Sequence, residues 1–440
     1  WNFMLKKYNT NARQQDLAEA AFRCILRIYK TLWKRITMKS GSCCMKIIFS
    51  TIIISGVFCD AADDPLTTSP LSIVTAQQYI GFPTLKTISS THHLENPVMS
   101  PLATICIYSM LSNLTDGKLN ECFVYSMPLQ EILSSELHQL LNAQLKEIFP
   151  EDSAVNFDVC IHICPAGNGS LSSHVKKLLR AFYQAGPFTI SFETDNASCL
   201  HLENQFQHPS KISTRSANSN SLKIGLYMHI NVHFDAEWSL AFDATSTRLE
   251  VFHLENGKDI SVPMMQQNGY YLYSSDTLLE TITLPFGNGE YAMILILPRF
   301  SQTPESILSQ MTPEYWNQYL SQRRRMNATI KLPRFSLSAD KDLTQLLTKQ
   351  DCLKSSTSCH ADDQPTPEHM IDVLGVTQNI RMTIAESGRY PPSKSEIDPR
   401  METLPYHKDM VFDRPFLWAV RHEETGSIVL LGQINNPLKE

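Results

Sequence analysis

VFDRPFLWAVRHEETGSIVLLGQINNP, residues 411–437, is the stretch that decides the fold. Two runs rich in apolar residues, DRPFLWAVRH and GSIVLLGQI, are separated by a short polar turn. Runs of this length, bounded by polar and glycine-containing segments, are typical of β-strands. The sequence therefore predicts that the chain ends in two strands joined by a turn.

The rest of the chain mixes the two kinds of secondary structure. Strand patterns dominate from residue 224 onward, and HMIDVLGVTQNIRMTIAE, residues 369–386, predicts one long strand. SAVNFDVCIHI, residues 153–163, alternates like a half-buried strand. Helical spacing appears in residues 100–114 and 171–185, and residues 304–322 predict a helical insert. No linker divides these elements, so we expect an α+β protein with one main domain, residues 60–440.

The N-terminal region has the features of a processing segment. MKIIFSTIIISGVFC, residues 45–59, places a lysine before an apolar run and small residues at its end, which indicates a secretory signal peptide. The alternative is a membrane anchor, but the apolar run is shorter than the ~20 residues that a spanning helix needs. Residues 1–44 contain a basic amphipathic stretch, and we interpret them as upstream translated sequence or a basic extension.

Charge narrows the range of partners. Residues 1–59 contain ten Lys or Arg and two Asp or Glu, so 28 basic and 42 acidic residues remain from residue 60 onward, a formal net charge of −14. Such an acidic chain is not expected to bind nucleic acid or an anionic membrane.

Cysteines and glycosylation motifs fit a secreted, extracellular glycoprotein. Seven cysteines follow residue 60, and Cys352 and Cys359 form the easiest local disulfide, although the pairing cannot be read from the sequence. Asn-x-Ser/Thr motifs stand at Asn113, Asn168, Asn196 and Asn327.

No motif of an enzyme or of a metal centre is present. The chain has no G-x-S-x-G, H-E-x-x-H, C-x-x-C or phosphate-binding glycine loop, so catalytic residues and cofactors are not expected. Cys160, His162 and Cys164 would share one strand face, but no fourth zinc ligand is evident and core packing is the favoured interpretation. Three consecutive arginines, residues 323–325, are interpreted as a solvated turn.

Several motifs, in the same order, resemble the serpin family. They lie in residues 96–111, 234–265, 284–298, 331–343 and 411–437. The residues at matching positions are Trp238, Phe242, Phe252, Pro263, Met264, Met265, Pro415, Phe416, Gly432 and Pro437. The resemblance implies a monomeric serpin fold with three β-sheets, eight or nine helices and an exposed reactive-centre loop at about residues 386–411. It also implies that a serine endopeptidase cleaves this loop, which then inserts into the large sheet as a new strand.

The hinge of this loop departs from the pattern of the inhibitory members. They carry Glu-Glu-Gly-Thr followed by small residues, whereas this chain has Glu386 and Gly388 in place and then Arg389, Pro391 and Pro392. Proline has no N–H and is almost confined to edge strands, and a buried unpaired guanidinium is costly. The hinge therefore argues against strand insertion. Ile230-Asn231 also replaces the family's Asn-Ala.

The scissile bond and the target remain open at this point. Family spacing from either side of the loop points to Glu402 or Leu404, and Arg400, Met401 and Thr403 are neighbouring candidates. Arg400 would suit a trypsin-like pocket, and Met401 or Leu404 a chymotrypsin- or elastase-like one. The alternative function is that of a non-inhibitory serpin acting as a binding, carrier or chaperone-like protein.

Overall fold

A computed structural model describes residues 71–91, 95–114, 134–149, 152–165, 170–192, 224–344, 371–390 and 407–439. All of them belong to one compact unit, Thr68–Glu440. The described helices are α1 Leu71–Thr91, α2 Pro101–Leu114, α3 Ser134–Glu147, α4 Ser173–Tyr183, α5 Pro304–Gln310 and α6 Pro313–Ser321, with a 3₁₀ turn at Ala244–Ser246. None of the described helices is long and apolar enough to cross a membrane.

Sixteen strands are described, and they form two sheets. In chain order they are β1 Val98–Met99, β2 Val155–Pro165, β3 Phe188–Phe192, β4 Ile224–Ala236, β5 Trp238–Leu240, β6 Arg248–His253, β7 Asp259–Ser275, β8 Leu279–Phe286, β9 Tyr291–Pro298, β10 Arg324–Pro333, β11 Phe335–Asp342, β12 Ile371–Ile384, β13 Gly388–Tyr390, β14 His407–Val411, β15 Phe416–His422 and β16 Ile428–Ile434.

The larger sheet follows the order β1-β16-β15-β9-β8-β7-β10-β14, with β6 paired to β7, β5 to β8 and β13 to β5. The two predicted C-terminal strands are β15 and β16, which form an antiparallel pair in its interior, and both are almost completely buried. Gly432 lies opposite Trp418, and a Cβ at Gly432 would come within 2.4 Å of the indole ring. A side chain at this position would displace the buried Trp418, which explains the glycine in a strand interior.

The smaller sheet has five strands in the order β11-β12-β4-β2-β3. Its central strands β12 and β4 are parallel and pair from Ile371–Ile224 to Met382–Phe234, with one irregularity between Val373 and Gly375. The outer pairs β11–β12 and β4–β2 are antiparallel. The seam between β12 and β4 is therefore closed along its length.

Two buried polar residues of β12, Thr377 and Gln378, lie in this seam. The Gln378 side chain is buried, and its Oε1 accepts a hydrogen bond from the Ser100 N–H at the start of α2 (3.0 Å). Its Nε2 has no partner among the described residues, and the residue opposite on β4 is the apolar Ile230. The Ile230-Asn231 departure seen in the sequence thus leaves a buried donor unsatisfied.

Two sequence-based expectations need correction. The helical insert at residues 304–322 is two helices, because the Thr312 side chain caps the N-terminus of α6 and Pro313 begins it without an N–H to donate. The arginine run is not a wholly solvated turn, since Arg323 is half-buried against Glu423 (3.4 Å) while Arg324 begins β10. The helix at residues 100–114, the strand at 153–163 and the long strand at 369–386 are confirmed.

Candidate functional site

The candidate site is the hinge that follows β12. After Ile384 the chain does not turn back toward the five-stranded sheet; residues 388–390 form β13, which pairs in parallel with β5 of the larger sheet. Gly388 lies opposite Trp238, and Tyr390 lies opposite Leu240. The hinge is therefore held at the junction of the two sheets, outside the seam between β12 and β4.

Three consecutive carbonyls of the hinge each accept one hydrogen bond from the segment around β5. The Trp238 indole N–H donates to the Ala385 carbonyl (2.8 Å). The backbone N–H of Phe242 donates to the Glu386 carbonyl and that of Trp238 to the Ser387 carbonyl, both at 3.0 Å. Because backbone polar groups in partly buried positions need partners, these bonds fix the path of the chain as it leaves β12.

The carboxylate of Glu386 adds a side-chain anchor. One oxygen accepts a hydrogen bond from the Thr247 hydroxyl (2.9 Å), and the other lies 3.4 Å from the Arg334 guanidinium. The Glu386 side chain is 14% exposed, whereas that of Arg334 is 50% exposed. The hydrogen bond from the Thr247 hydroxyl to the carboxylate is accordingly the better-sheltered contact, and solvent screens the ion pair.

Aromatic packing holds Trp238 beneath the hinge. Its ring stacks on Phe286 with centroids 4.4 Å apart and 15° between the planes, and it meets the Phe242 ring edge-on at 5.7 Å. Trp238 is 2% exposed, so its indole N–H has a fixed position from which to donate. The matching Trp and Phe positions of the sequence thus build the floor of the site.

A buried pair of polar residues on β7 supports this floor. The Gln267 Nε2 donates to the carbonyls of Leu240 and Ala241, the latter at 3.0 Å. The Tyr271 hydroxyl donates to the Gln267 Oε1 (2.5 Å), and burial raises the pKa of Tyr271. Sequence reasoning missed both residues. The available signal was a glutamine and a tyrosine four residues apart, and therefore on the same face of the strand.

The structure describes only part of the predicted site. Glu386 and Gly388 come together with Trp238 as stated, and Arg389 lies in β13. Pro391, Pro392 and the scissile candidates Arg400, Met401, Glu402, Thr403 and Leu404 lie outside the described residues, as do Cys352, Cys359, Asn168 and Asn196.

Two of the predicted glycosylation sites fall within regular elements. Asn113 belongs to α2. Asn327 is half-buried in β10, between Tyr270 of β7 and His407 of β14, and the Thr329 hydroxyl of its motif is 2.7 Å from the His407 ring.

The Cys160, His162 and Cys164 face does not form a metal centre. Cys164 is disulfide-bonded and thus has no thiolate to offer, while Cys160 is a free thiol 3.3 Å from the His162 Nε2. Within the described ranges, no three His, Cys, Asp or Glu side chains are placed as metal ligands would be.

Comparison with protein families gives one match over most of the chain. Residues 75–437 match the model described as "Serpin (serine protease inhibitor)". Plasminogen activator inhibitor 1 from Bos taurus is 26% identical over 213 residues, which is 47% of this chain and 52% of the relative. The chain thus spans about half the length of the first curated relatives that it matches. Serpin I2 from Homo sapiens is 20% identical over 79% of this chain and 88% of its own length.

Solved structures show the same fold at low identity. Native protease nexin-1 with heparin superposes with a TM-score of 0.67 at 19% identity, over 84% of this chain and 100% of that structure. Uncleaved ovalbumin gives a TM-score of 0.67 at 18% identity, over 83% and 100%. Human thyroxine-binding globulin also gives 0.67 at 18% identity, over 84% and 100%. With the two sheets, the hinge and the family match in agreement, the chain belongs to the serpin family.

Proposed function

We propose that this serpin is a secreted glycoprotein that presents the segment after Tyr390 to a serine endopeptidase, and that it is cleaved, or blocks the protease reversibly, without trapping it by loop insertion. The observation that carries the proposal is the hinge: residues 385–388 are anchored outside a closed five-stranded sheet, and Pro391 and Pro392 follow two residues later. Secretion and glycosylation rest on the signal peptide at residues 45–59 and on the four sequence motifs.

The sheet defines what insertion would require. A segment that left β12 and folded back between β12 and β4 would run antiparallel to both, because these two strands are parallel to each other. It would have to replace the present pairing from Ile371–Ile224 to Met382–Phe234 with two new ladders. Every N–H and C=O of the entering residues would then need a partner on one side or the other.

The hinge residues meet this requirement poorly. In a central strand, successive N–H groups point to opposite neighbours, so Pro391 and Pro392 together would remove one ladder bond to β12 and one to β4. Arg389 and Pro391 would share one face of the new strand because side chains alternate. If that face were the core, the Arg389 guanidinium would be buried, which is costly without a carboxylate partner.

Insertion must also be fast. A covalently held protease is released when the acyl bond is hydrolysed, so trapping succeeds only if the loop inserts first. Each ~1.4 kcal/mol added to the insertion barrier slows it about tenfold. Two lost ladder bonds of about 1 kcal/mol each would slow insertion by roughly thirtyfold if their full cost is felt at the barrier, and strain at the prolines would add to it, which favours hydrolysis.

The second candidate is a binding or carrier protein. The same hinge favours it, since a protein of this fold that does not insert its loop can use the scaffold for other purposes, and thyroxine-binding globulin and ovalbumin share the fold. It differs from the first proposal in one respect: no serine endopeptidase would select the loop.

The test is incubation of the purified chain with a panel of trypsin-, chymotrypsin- and elastase-like proteases. We expect cleavage at one bond in residues 400–404 and no SDS-stable complex. The matched control is the R389T/P391A/P392A variant, in which a complex is expected to appear. A stable complex with the unaltered chain would contradict the proposal, and resistance of the loop to every protease would favour the carrier function.

A further inference from the structure

Strand β6 lies at an edge of the larger sheet and carries exposed apolar side chains. Among the described strands β6 pairs only with β7, and Leu249 and Val251 are 73% and 48% exposed. Both belong to the larger sheet, at the edge opposite β14. An edge strand with exposed apolar side chains is a template for pairing with another chain unless it is covered or charged.

Hydrogen bonds in the β6–β7 turn show which way the main chain points. The Leu254 N–H donates to the Lys258 carbonyl (2.8 Å) and the Gly257 N–H to the Leu254 carbonyl (3.0 Å), with Gly257 at φ +76°. In an antiparallel pair, hydrogen-bonded and non-hydrogen-bonded positions alternate from this point. The N–H and C=O groups of Leu249, Val251 and His253 therefore point away from β7.

The far side of β6 confirms this direction and shows where pairing can occur. The His253 N–H donates to the Asp413 carbonyl (2.7 Å), which closes the edge at that end. Among the described residues, no hydrogen bond uses the main-chain groups of Leu249 or Val251 on this side. Within the part of the chain that the structure describes, these two residues thus have backbone groups without partners beside exposed apolar side chains.

We propose that this edge pairs with β6 of a second copy of the chain, antiparallel, about a twofold axis through Leu249. Identical edges that pair antiparallel close on themselves as a dimer. At the axis, the N–H and C=O groups of Leu249 would hydrogen-bond to the partner's Leu249. Val251 would pair with the partner's Thr247. This assembly departs from the monomer that the family resemblance implies.

The charged residues next to Leu249 favour a second copy of the chain as the partner, and they favour one register of pairing. Arg248 and Glu250 flank Leu249, so an axis through Leu249 sets each Arg248 opposite the partner's Glu250. An axis through Glu250 would oppose two carboxylates, which is unfavourable. Glu250 already lies 2.7 Å from the Lys331 ammonium, and the Arg248 guanidinium donates to the Thr245 and Thr247 carbonyls, so the partner's charges would join contacts that exist in each chain. The edge is therefore complementary to itself in one register.

The experiment is sedimentation velocity on the full chain across a wide range of concentration. The unaltered protein is expected to show a concentration-dependent dimer. R248E and E250R should each weaken dimerisation by about tenfold, since each turns two opposite-charge pairs into like-charge pairs. An equimolar mixture of R248E and E250R should recover the dimer, because each protomer then faces opposite charges again.

The controls keep the proposal falsifiable. L249K should abolish the dimer, whereas L438K, at another exposed leucine (57%), should not. Far-UV circular dichroism checks that each variant is folded. A protein that is monomeric at every concentration, or an R248E and E250R mixture that stays monomeric while the unaltered chain dimerises, would overturn the proposal.

Discussion

Gly388 lies against Ala241 so closely that a Cβ built at Gly388 would approach the Ala241 nitrogen to 2.4 Å and its Cα to 2.5 Å. These are backbone atoms of the residue that follows β5, and they cannot move aside as the end of a flexible side chain would. The glycine is therefore required by the docking of the hinge on β5.

Replacing this glycine should detach the hinge. We expect G388A to lower the free energy of unfolding by about 2 kcal/mol, because either the hinge or the 238–242 segment must shift to relieve the overlap. Urea unfolding followed by tryptophan fluorescence measures the change, since Trp238 lies directly beneath. The exposed neighbour provides the control, S387A, which should change stability by less than about 0.5 kcal/mol. Equal stability of G388A and S387A would show that the hinge is not docked as described.

The two contacts of Glu386 should contribute unequally. E386Q keeps an acceptor for the Thr247 hydroxyl and loses only the screened ion pair with Arg334, so we expect a cost of about 0.5 kcal/mol. E386A loses both and should cost about 2 kcal/mol. Chemical unfolding at low and high salt separates the two effects, and the exposed E424Q is the control. A cost of E386Q equal to that of E386A would mean that the ion pair dominates.

A hydrogen-bond acceptor placed opposite Gln378 should stabilise the protein, because the Gln378 Nε2 has no partner among the described residues. The I230N substitution places an amide oxygen opposite Gln378 on β4. We therefore expect I230N to destabilise the protein by about 1 kcal/mol less when Gln378 is present than when Gln378 is replaced by leucine. A double-mutant cycle of unfolding free energies measures this coupling, with I230A as the size control. No coupling would indicate that the amide finds its partner elsewhere.

Acid should destabilise the protein because it protonates a buried histidine of α3, His138, which contacts Tyr183 of α4. His138 is 2% exposed, the Tyr183 hydroxyl lies 2.5 Å from its Nδ1, and burial lowers the pKa of His138 to about 4. Its ordinary pKa is about 6.5, so the unfolded chain binds this proton at a higher pH than the folded one. The resulting stability is present above pH ~6.5 and is lost as the pH falls toward 4, by about 3 kcal/mol in total.

Substitution isolates this contribution. H138N removes the titrating group, so the fall in unfolding free energy between pH 6.5 and 4 should become shallower by about that amount. Burial also lowers the pKa of His422, which leaves a residual slope of the same sign. H174N, at an exposed position on α4, is the control. An unchanged pH profile in H138N would contradict the assignment.

The sequence predicts local elements well where a single segment carries the signal. The C-terminal strands are readable because each is a buried apolar run, and the start of α2 is readable because Ser100 and Pro101 form a helix N-terminus. The family motifs also placed the hinge at Glu386 and Gly388. What they could not supply is the parallel pairing of β13 with β5, which joins residues about 150 positions apart and has no local pattern.

The side-chain contacts that support the hinge were equally unpredictable from the sequence. Gln267 and Tyr271 act through the carbonyls of Leu240 and Ala241, and Gln378 has an apolar residue, Ile230, opposite it on β4. The division of the helical insert at Thr312 was readable in principle, since Thr-Pro is an N-terminal helix signal. In that case the apolar periodicity runs through residues 304–322, but the cap at Thr312 begins a second helix.

The central claim is that the hinge stays docked and does not enter the sheet after the loop is cut. The most direct measurement is the thermal unfolding midpoint of the full chain before and after a single cleavage within residues 400–404, beside the R389T/P391A/P392A variant treated identically. We expect the cleaved chain to melt within a few degrees of the intact one and the cleaved variant to melt higher by about 10 °C or more, as a new central strand would require. A comparable rise in the unaltered chain would show that the loop inserts despite its prolines, and would contradict the account.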